Sequence, residues 1–437
     1  MIRFLPLALA TGTLAAETKL LENFTLIDGT GRTALPNAAL LIVDGRIQYA
    51  GPKSGAKAPN GAERTDLTGK FVMPGIINVH GHLGNVKGLV QDPKNYTLEN
   101  LNAQLNTFAS YGVTSIMSMG SDTELALKVR DEQRAGRPNT TRIFTAYRGF
   151  TGKGGYPTSA PGMKGVPFEV ENVEQVKEAV AELAKRKVDM VKIWVDDHLG
   201  KEQKIPIELC RAIIAEAGKH KLRVAAHIFY LDDAKKLVEA GLSGLAHSVR
   251  DKPVDDELIA LMKKKGAWQA AATFTREMST FVYAKPHPLL TDAFFTRSVG
   301  PDVLNTLKSK AYQDRMAADK DLPKYPVFTE TAKKNLKTLV DSGVKYSFGT
   351  DTGPPGRFSG YFEHWEMEIM ADAGLTPMQI VQSFSKNAAE FLGASKDLGT
   401  LERGHWADLV VLGRNPLENI RNSRSIEAVY IAGNKVK

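Results

Sequence analysis

Two textures of apolar and polar positions alternate along the chain. Short β-rich apolar runs read as strands: "FVMPGIINVH", "VTSIMSMG", "RIFTAY", "VDMVKIWV", "RVAAHIF", "GLAHSV", "AWQAAATF" and "KYSFGTD". Between most of them lie longer stretches such as "NVEQVKEAVAELAKRK", whose apolar residues recur at helical spacing. Strands separated by helices are the pattern of a parallel α/β architecture, and eight such strands fit a (β/α)8 TIM-type barrel better than an open sheet.

The ends have a different texture. Residues 17–70 alternate β-rich runs with turn residues, as in "AALLIVDGRIQYAGP", where Asp44-Gly45 marks a hairpin; residues 395–437 repeat it in "ADLVVLGRNPL" and "SIEAVYIAGNKVK". This predicts a small β-sandwich domain built from both ends, flanking a barrel over 71–394. A long interruption over 274–330, carrying Phe281, Tyr283, Phe294 and Phe295, separates the seventh strand from the helix leading to the eighth. It either covers the barrel mouth or packs as a surface insertion.

The start, "MIRFLPLALATGTLAAETK", has one basic residue, an apolar run too short to span a bilayer, then small residues. Residues 1–16 read as a secretory signal, with a periplasmic or secreted mature protein as the expectation and a cytoplasmic one as the alternative. No later run of about eighteen apolar residues exists, so no integral membrane segment is expected in the mature chain. The 437 residues carry a formal charge of +8, but Lys and Arg are scattered among Asp and Glu without a basic block, which argues against nucleic-acid binding. The lone Cys210 has no partner for an internal disulfide and reads as buried packing. A small-molecule substrate and a homo-oligomer are the expected partners.

The chemistry sits at strand ends. His80 and His82 lie two apart on a strand, so they share a face and can converge on one metal ion at its carboxyl end. Lys192, His227, His247 and Asp351 stand at or within four further predicted strands, and in a barrel enzyme such residues meet above the core. Lys192 is costly inside an apolar strand unless neutralised or paired. Val191 and Ile193 would face the helices, leaving Lys192 pointing into the barrel.

These features resemble the amidohydrolase superfamily over essentially the whole mature length: "MPGIINVHGH", Lys192, His227, His247, the "GTD" of Asp351 and the ending "GTLERGHWADLVVL". Within it the chain resembles the imidazolonepropionase-related and prolidase-like hydrolases. The resemblance implies that His80, His82 and Asp351 hold one divalent ion and that His227 and His247 hold a second. It also implies that Lys192 bridges them as a carbamate formed with carbon dioxide, with zinc the favoured metal. A hydroxide between the ions would then attack a polarised carbonyl, with Asp351 carrying its proton to the departing amine.

Some positions depart from the family pattern. Deaminases of the superfamily use a Glu three residues after the fifth-strand histidine, where "HIFY" has Tyr230; that argues against deamination and leaves Tyr230 to contact the tetrahedral intermediate or to pack at the rim. In "RGFTGKGGYP" Tyr156 replaces a histidine usual in prolidase-like members, and Asn78 stands where many relatives carry Asp. Arg250 either grips a substrate carboxylate or pairs with Asp251 or another loop carboxylate. Asp196, Asp197 and His198 face the expected mouth or form a solvated loop, and His364 either orients Asp351 or packs a helix. The expected activity is hydrolysis of a C–N amide bond in a dipeptide, an N-acyl amino acid or a related carboxylate-bearing amide. The alternatives are a cyclic amide, lactone or ester hydrolase with the same site, a mononuclear enzyme with free Lys192, and a non-catalytic barrel.

Overall fold

The computed structural model describes residues 17–437; the signal segment expected over 1–16 lies outside the described residues. Seven of the expected strands form: β1 (Ile76–Gly81), β2 (Val113–Ser118), β3 (Arg142–Thr145), β4 (Val191–Trp194), β5 (Val224–His227), β6 (Gly244–Leu245) and β7 (Trp268–Gln269). All pair in parallel, in two ladders. β2 lies between β1 and β3, while β4 to β7 run in order beside the short strands Phe150–Gly152 and Phe168–Val170. Between the ladders, the Asp189 amide donates to Thr145 O at 2.9 Å.

The eighth expected strand differs from its reading. "KYSFGTD" forms only isolated bridges, Gln269 to Tyr346 and, just beyond it, Gly81 to Thr352. It is nevertheless held on both sides, by Gln269 N to Lys345 O at 2.9 Å and Val79 N to Phe348 O at 2.9 Å. Between the two bridged positions Asp351, the last residue of the run, adopts a left-handed backbone, φ 59°.

Helices cover the outside of these strands for the reason their sequences suggest. In the helix Val173–Lys185, Asn172 accepts a hydrogen bond from the Gln175 amide, and Val176, Ala179, Val180 and Leu183 are buried along one face. They join Val191, Ile193 and Cys210 in the layer between helices and strands, which leaves Lys192 on the inner face of β4. Burial raises the Cys210 thiol to about 12, so it is packing.

The two ends build one mixed sheet of eight strands rather than two separate ladders. Leu409–Leu412, from the C-terminal part, runs antiparallel to Phe71–Pro74, which itself joins Thr18–Leu26 in parallel. The bridge Arg46 to Trp406 brings strand Arg46–Pro52 back toward the C-terminal segment, and Leu21, Phe24, Leu40, Val72, Leu409 and Val411 pack together. Because Phe71–Pro74 runs on into β1, this sheet fixes the chain that delivers His80 and His82.

The 274–330 insertion does both things left open for it. Its middle packs Tyr283, Leu290, Phe295 and Leu307 with Tyr111 and Phe362 in a core of its own. Its two ends, at Arg276 to Thr280 and Asp319 to Tyr325, line the cavity over the strand ends.

Candidate active site

The carboxyl ends of the parallel strands open into a cavity of about 440 Å3 lined by His80, His82, His227, His247 and Asp351, with Lys192 beneath. The His227 and His247 rings lie 4.1 Å apart, His80 and His247 4.7 Å, and His80 and His82 5.6 Å. Lys192 Nζ is 3.4 Å from His80 Nε2. Asp351 Oδ1 is 2.9 Å from His82 Nε2 and 3.6 Å from His80 Nε2. The six groups expected to act together therefore surround one space.

Hydrogen bonding decides which ring nitrogens face it. His80 Nδ1 lies 2.8 Å from Ala246 O, a carbonyl that can only accept, so the proton is on Nδ1 and the lone pair on Nε2. The Thr273 hydroxyl donates to Ala272 O, so its oxygen accepts from His247 Nδ1 at 2.7 Å. His247 Nε2 is then buried, unprotonated and without a hydrogen-bond partner. His227 Nε2 donates to Asp196 Oδ2 at 2.6 Å, which leaves Nδ1 with its lone pair. Burial keeps these imidazoles neutral: His80 and His247 are pushed well below the usual histidine range and His227 to about 3. Asp196 is pushed up by burial but held far below the carboxylate range by His227.

Neutral imidazoles with outward lone pairs, a carboxylate and an orphaned buried nitrogen fit divalent-metal coordination. His80, His247 and Asp351 offer ligand atoms all within 4.8 Å of one another. Lys192 is driven down to about 7 by burial, against the pull of Asp351, so a substantial fraction is the neutral, nucleophilic amine near neutral pH. Asp351 is pushed up by burial but held well below the carboxylate range by Arg357, His80 and His82.

The site also stores backbone strain. Asp351, Thr273 and His198 all have positive φ, near 59°, 59° and 51°. Such strain persists where the surroundings over-determine it: the Asp351 amide donates to His80 O at 2.7 Å, and a Cβ on Gly353, at φ 116°, would lie 2.1 Å from His82 O. Beneath, Glu363 ties the two ligand-bearing segments together. It accepts from Asn78 Nδ2, Thr350 Oγ1 and Thr352 Oγ1 at 2.8 to 2.9 Å, while Asn78 Oδ1 accepts from the His80 amide.

The Amidohydrolase family profile matches residues 71–436. The chain belongs to the amidohydrolase family. It is an enzyme of a family of amide-cleaving hydrolases that usually employ a divalent metal. This amidohydrolase is 25% identical to ochratoxinase of Aspergillus niger over 97% of the chain and 87% of that protein. It is 24% identical to imidazolonepropionase of Deinococcus radiodurans over 91% of the chain and 92% of that protein. Among solved structures, a Xaa-Pro dipeptidase with bound methionine superposes with a TM-score of 0.75 at 20% identity, over 96% of this chain and 99% of that one. The shared fold is the TIM-type barrel.

Around the histidines, the amidohydrolase brings Tyr156 and His198 to the cavity wall, their rings 4.7 Å apart. Arg250 also lines the cavity, but its guanidinium donates to Ile228 O and Ser248 O at 2.8 and 3.0 Å and lies 3.1 Å from Glu277 of the short helix Phe274–Ser279, a carboxylate pairing, though not with a loop, rather than a free grip. The Tyr230 hydroxyl donates to Asp197 at 2.8 Å, with the Lys204 ammonium over its ring. His364 does not touch Asp351. It bonds Ser423 Oγ and Tyr111 O, both at 2.8 Å, inside the helix packing. Asp196 is buried against His227 instead of solvated.

Sequence reasoning passed over Arg276, Arg357 and Glu277. Arg357 Nη1 donates to Asp351 Oδ2 at 2.6 Å, and Arg276 Nε lies 3.3 Å from the same oxygen. A signal was available for the two arginines: Arg276 stands just past the seventh apolar run in "FTRE", and Arg357 closes the Gly- and Pro-rich turn "GTDTGPPGRF". Among the described residues, no helix is long and apolar enough to cross a membrane.

Proposed function

We propose that this amidohydrolase is a binuclear metal-dependent hydrolase that cleaves the C–N bond of a small carboxylate-bearing amide, a dipeptide or an N-acyl amino acid. The observation that carries this reading is the convergence of six potential ligands on one cavity, with His247 Nε2 bare and Lys192 lowered to about 7 by burial. In it His80, His82 and Asp351 would hold one ion, His227 and His247 would hold a second, and Lys192, as a carbamate, would supply a further carboxylate to them. Zinc suits a set of neutral imidazoles and carboxylates. The carboxylate on the substrate is favoured by the arginines that line the cavity.

Bound ions supply a nucleophile from water near neutral pH and polarise the scissile carbonyl. The remaining work falls to the chain. Asp351 takes a proton from the attacking water and returns it to the amide nitrogen, so the C–N bond breaks with a neutral amine leaving rather than an amide anion. The water oxygen ends on the acyl carbon as the new carboxylate. Asp196 fixes the His227 ring, and Thr273 and Ala246 fix His247 and His80, so each ligand keeps the tautomer it needs. A composite β domain from 17–70 and 395–437, a barrel domain over 71–394, secretion after loss of 1–16, and a homo-oligomer belong to the same proposal.

The test pairs elemental analysis after reconstitution with zinc, with and without bicarbonate, with parallel assays on dipeptides, N-acyl amino acids and lactones. Two ions per chain with bicarbonate and turnover of the amides are expected. One ion under both conditions removes the carbamate bridge, and turnover of lactones alone removes the leaving-group protonation assigned to Asp351.

A further inference from the structure

We infer that Arg276 and Arg357, with the hydroxyl of Tyr156, form the subsite that grips the substrate carboxylate beside Asp351. This seats the amine half of the amide against the proton donor and leaves the acyl half toward the apolar rim. The inference rests on the reading above, that the substrate is an amide with a carboxylate, and assigns that carboxylate its partners.

Three guanidiniums line the cavity, and they are not equivalent. Arg250 is committed to two backbone carbonyls and to Glu277, and it lies over the Phe229 ring at 4.7 Å. Its role is to fix Glu277. Glu277 in turn pairs with Arg276 Nη1, which carries that guanidinium into the cavity. Arg276 is buried, and its Nε makes no hydrogen bond although Asp351 Oδ2 is only 3.3 Å away. A buried N–H without an aligned acceptor is unfavourable; Arg250 Nε, 3.1 Å from Glu277, is in the same state, but only Arg276 Nε stands beside Asp351, where an incoming carboxylate can meet it.

Arg357 reaches the same spot from the other side. The turn that closes through Gly353 N to Arg357 O and Arg357 N to Pro354 O folds the chain back on itself, so Arg357 meets Asp351. One Nη1–H is used on Asp351 Oδ2, and the rest of the planar fork lies at the cavity wall. Tyr156 is half-buried on that wall, and after desolvation the largest influences on its phenol are the charges of Arg276 and Arg357. Of the carboxylates nearby, Asp196 is engaged by His227, Glu277 by Arg250 and Arg276, and Asp351 by Arg357 and Arg276, so a substrate carboxylate would share these two guanidiniums with Asp351. A planar carboxylate matches paired guanidiniums.

The chemistry of the substrate makes the position meaningful. In an N-acyl amino acid or dipeptide, one carbon separates the carboxylate from the scissile nitrogen. A grip anchored on the same oxygen of Asp351 therefore sets that nitrogen beside the group that must protonate it. Pro157, Pro161, Met163 and Leu199 supply apolar lining for the acyl half.

The experiment uses the full chain, zinc-loaded and metal-free, titrated calorimetrically with L-leucine and with L-leucinamide, which differ only in the carboxylate. The wild type should bind the carboxylate form about tenfold or more tightly than the amide. Arg357→Gln, a partly exposed loop change that leaves the core intact, should erase that preference, Arg276→Gln should do the same, and Tyr156→Phe should reduce it several-fold. On any hydrolysed N-acyl amino acid, Arg357→Gln should raise KM more than it lowers kcat. An unchanged preference in Arg357→Gln, or no preference in the wild type, overturns the grip. If amides are hydrolysed while the preference survives in the variants, the grip fails and the proposed function stands. If the preference depends on the arginines but no amide is hydrolysed, the grip stands and the proposed function fails.

Discussion

Arg357 donates to one carboxylate oxygen of Asp351 at 2.6 Å, while the other oxygen of Asp351 faces His82 Nε2 at 2.9 Å. The carboxylate is thus divided between a cationic wall and a histidine cluster. Its left-handed backbone lets one short side chain reach both.

Replacement of Asp351 by Asn keeps one oxygen for coordination on the histidine side, puts an NH2 that cannot accept from Arg357 in place of the other, and removes the proton carrier. Asp351→Asn should retain most of its zinc by elemental analysis and lose about a hundredfold or more in kcat. Near-normal turnover in this variant would remove Asp351 from proton transfer.

Lys192 is buried beside His80 beneath the cavity. Lys192→Ala should bind fewer ions than the wild type after reconstitution with zinc and bicarbonate and lose hydrolytic activity. A short carboxylic acid added to the buffer should restore part of both if a bridging carboxylate is what was lost. Two tightly held ions per chain in the unsupplemented variant would speak against a bridging lysine.

Asn78 explains its own departure from the family pattern. Its amide donates to Glu363 at 2.8 Å, where an aspartate would set two carboxylates against each other in the interior. Asn78→Asp should cost about 2–4 kcal/mol of stability above the carboxylate titration range, read as a lower Tm at pH 8. The double variant Asn78→Asp with Glu363→Gln should recover part of that loss.

His364 makes a second, independent statement about pH. Burial lowers it to about 3, so between that value and its ordinary value near 6.5 the unfolded chain binds a proton that the folded chain refuses. Its contribution is intact above about 6.5 and lost as pH falls toward 3, at up to about 1.4 kcal/mol per pH unit. In His364→Gln the fall in Tm over that window should be shallower than in the wild type. An identical slope would mean the acid sensitivity originates elsewhere.

Much of the fold and the site could be read from residue order because the signals are local. Short β-rich apolar runs match seven strands, and helical spacing with caps such as Asn172 matches the helices around them. His80 and His82 share a strand face by geometry alone, and Lys192 could be turned inward from the apolar residues on either side of it. The eighth strand escaped this logic because its run forms only isolated bridges on either side of a left-handed Asp351, and apolar content carries no trace of that. The choice left open for Arg250 could not be made from sequence because its partner Glu277 is distant in the chain, and that for His364 because packing toward Tyr111 and Ser423 is not written in its neighbours.

What the sequence determined by itself, then, is the architecture and the inventory: a TIM-type barrel, ligand-type residues at its strand ends, and membership of a hydrolase family. What only the tertiary structure decided is how polar groups divide their bonds. Which ring nitrogen of His247 stays bare, which of three arginines is committed to structure, and why Asn78 answers Glu363 depend on hydrogen bonds between residues far apart in the chain. Periodicity reports which side of an element is buried. It cannot report which donor meets which acceptor once several buried charges share one small space, because that choice is made by distances of a few tenths of an ångström.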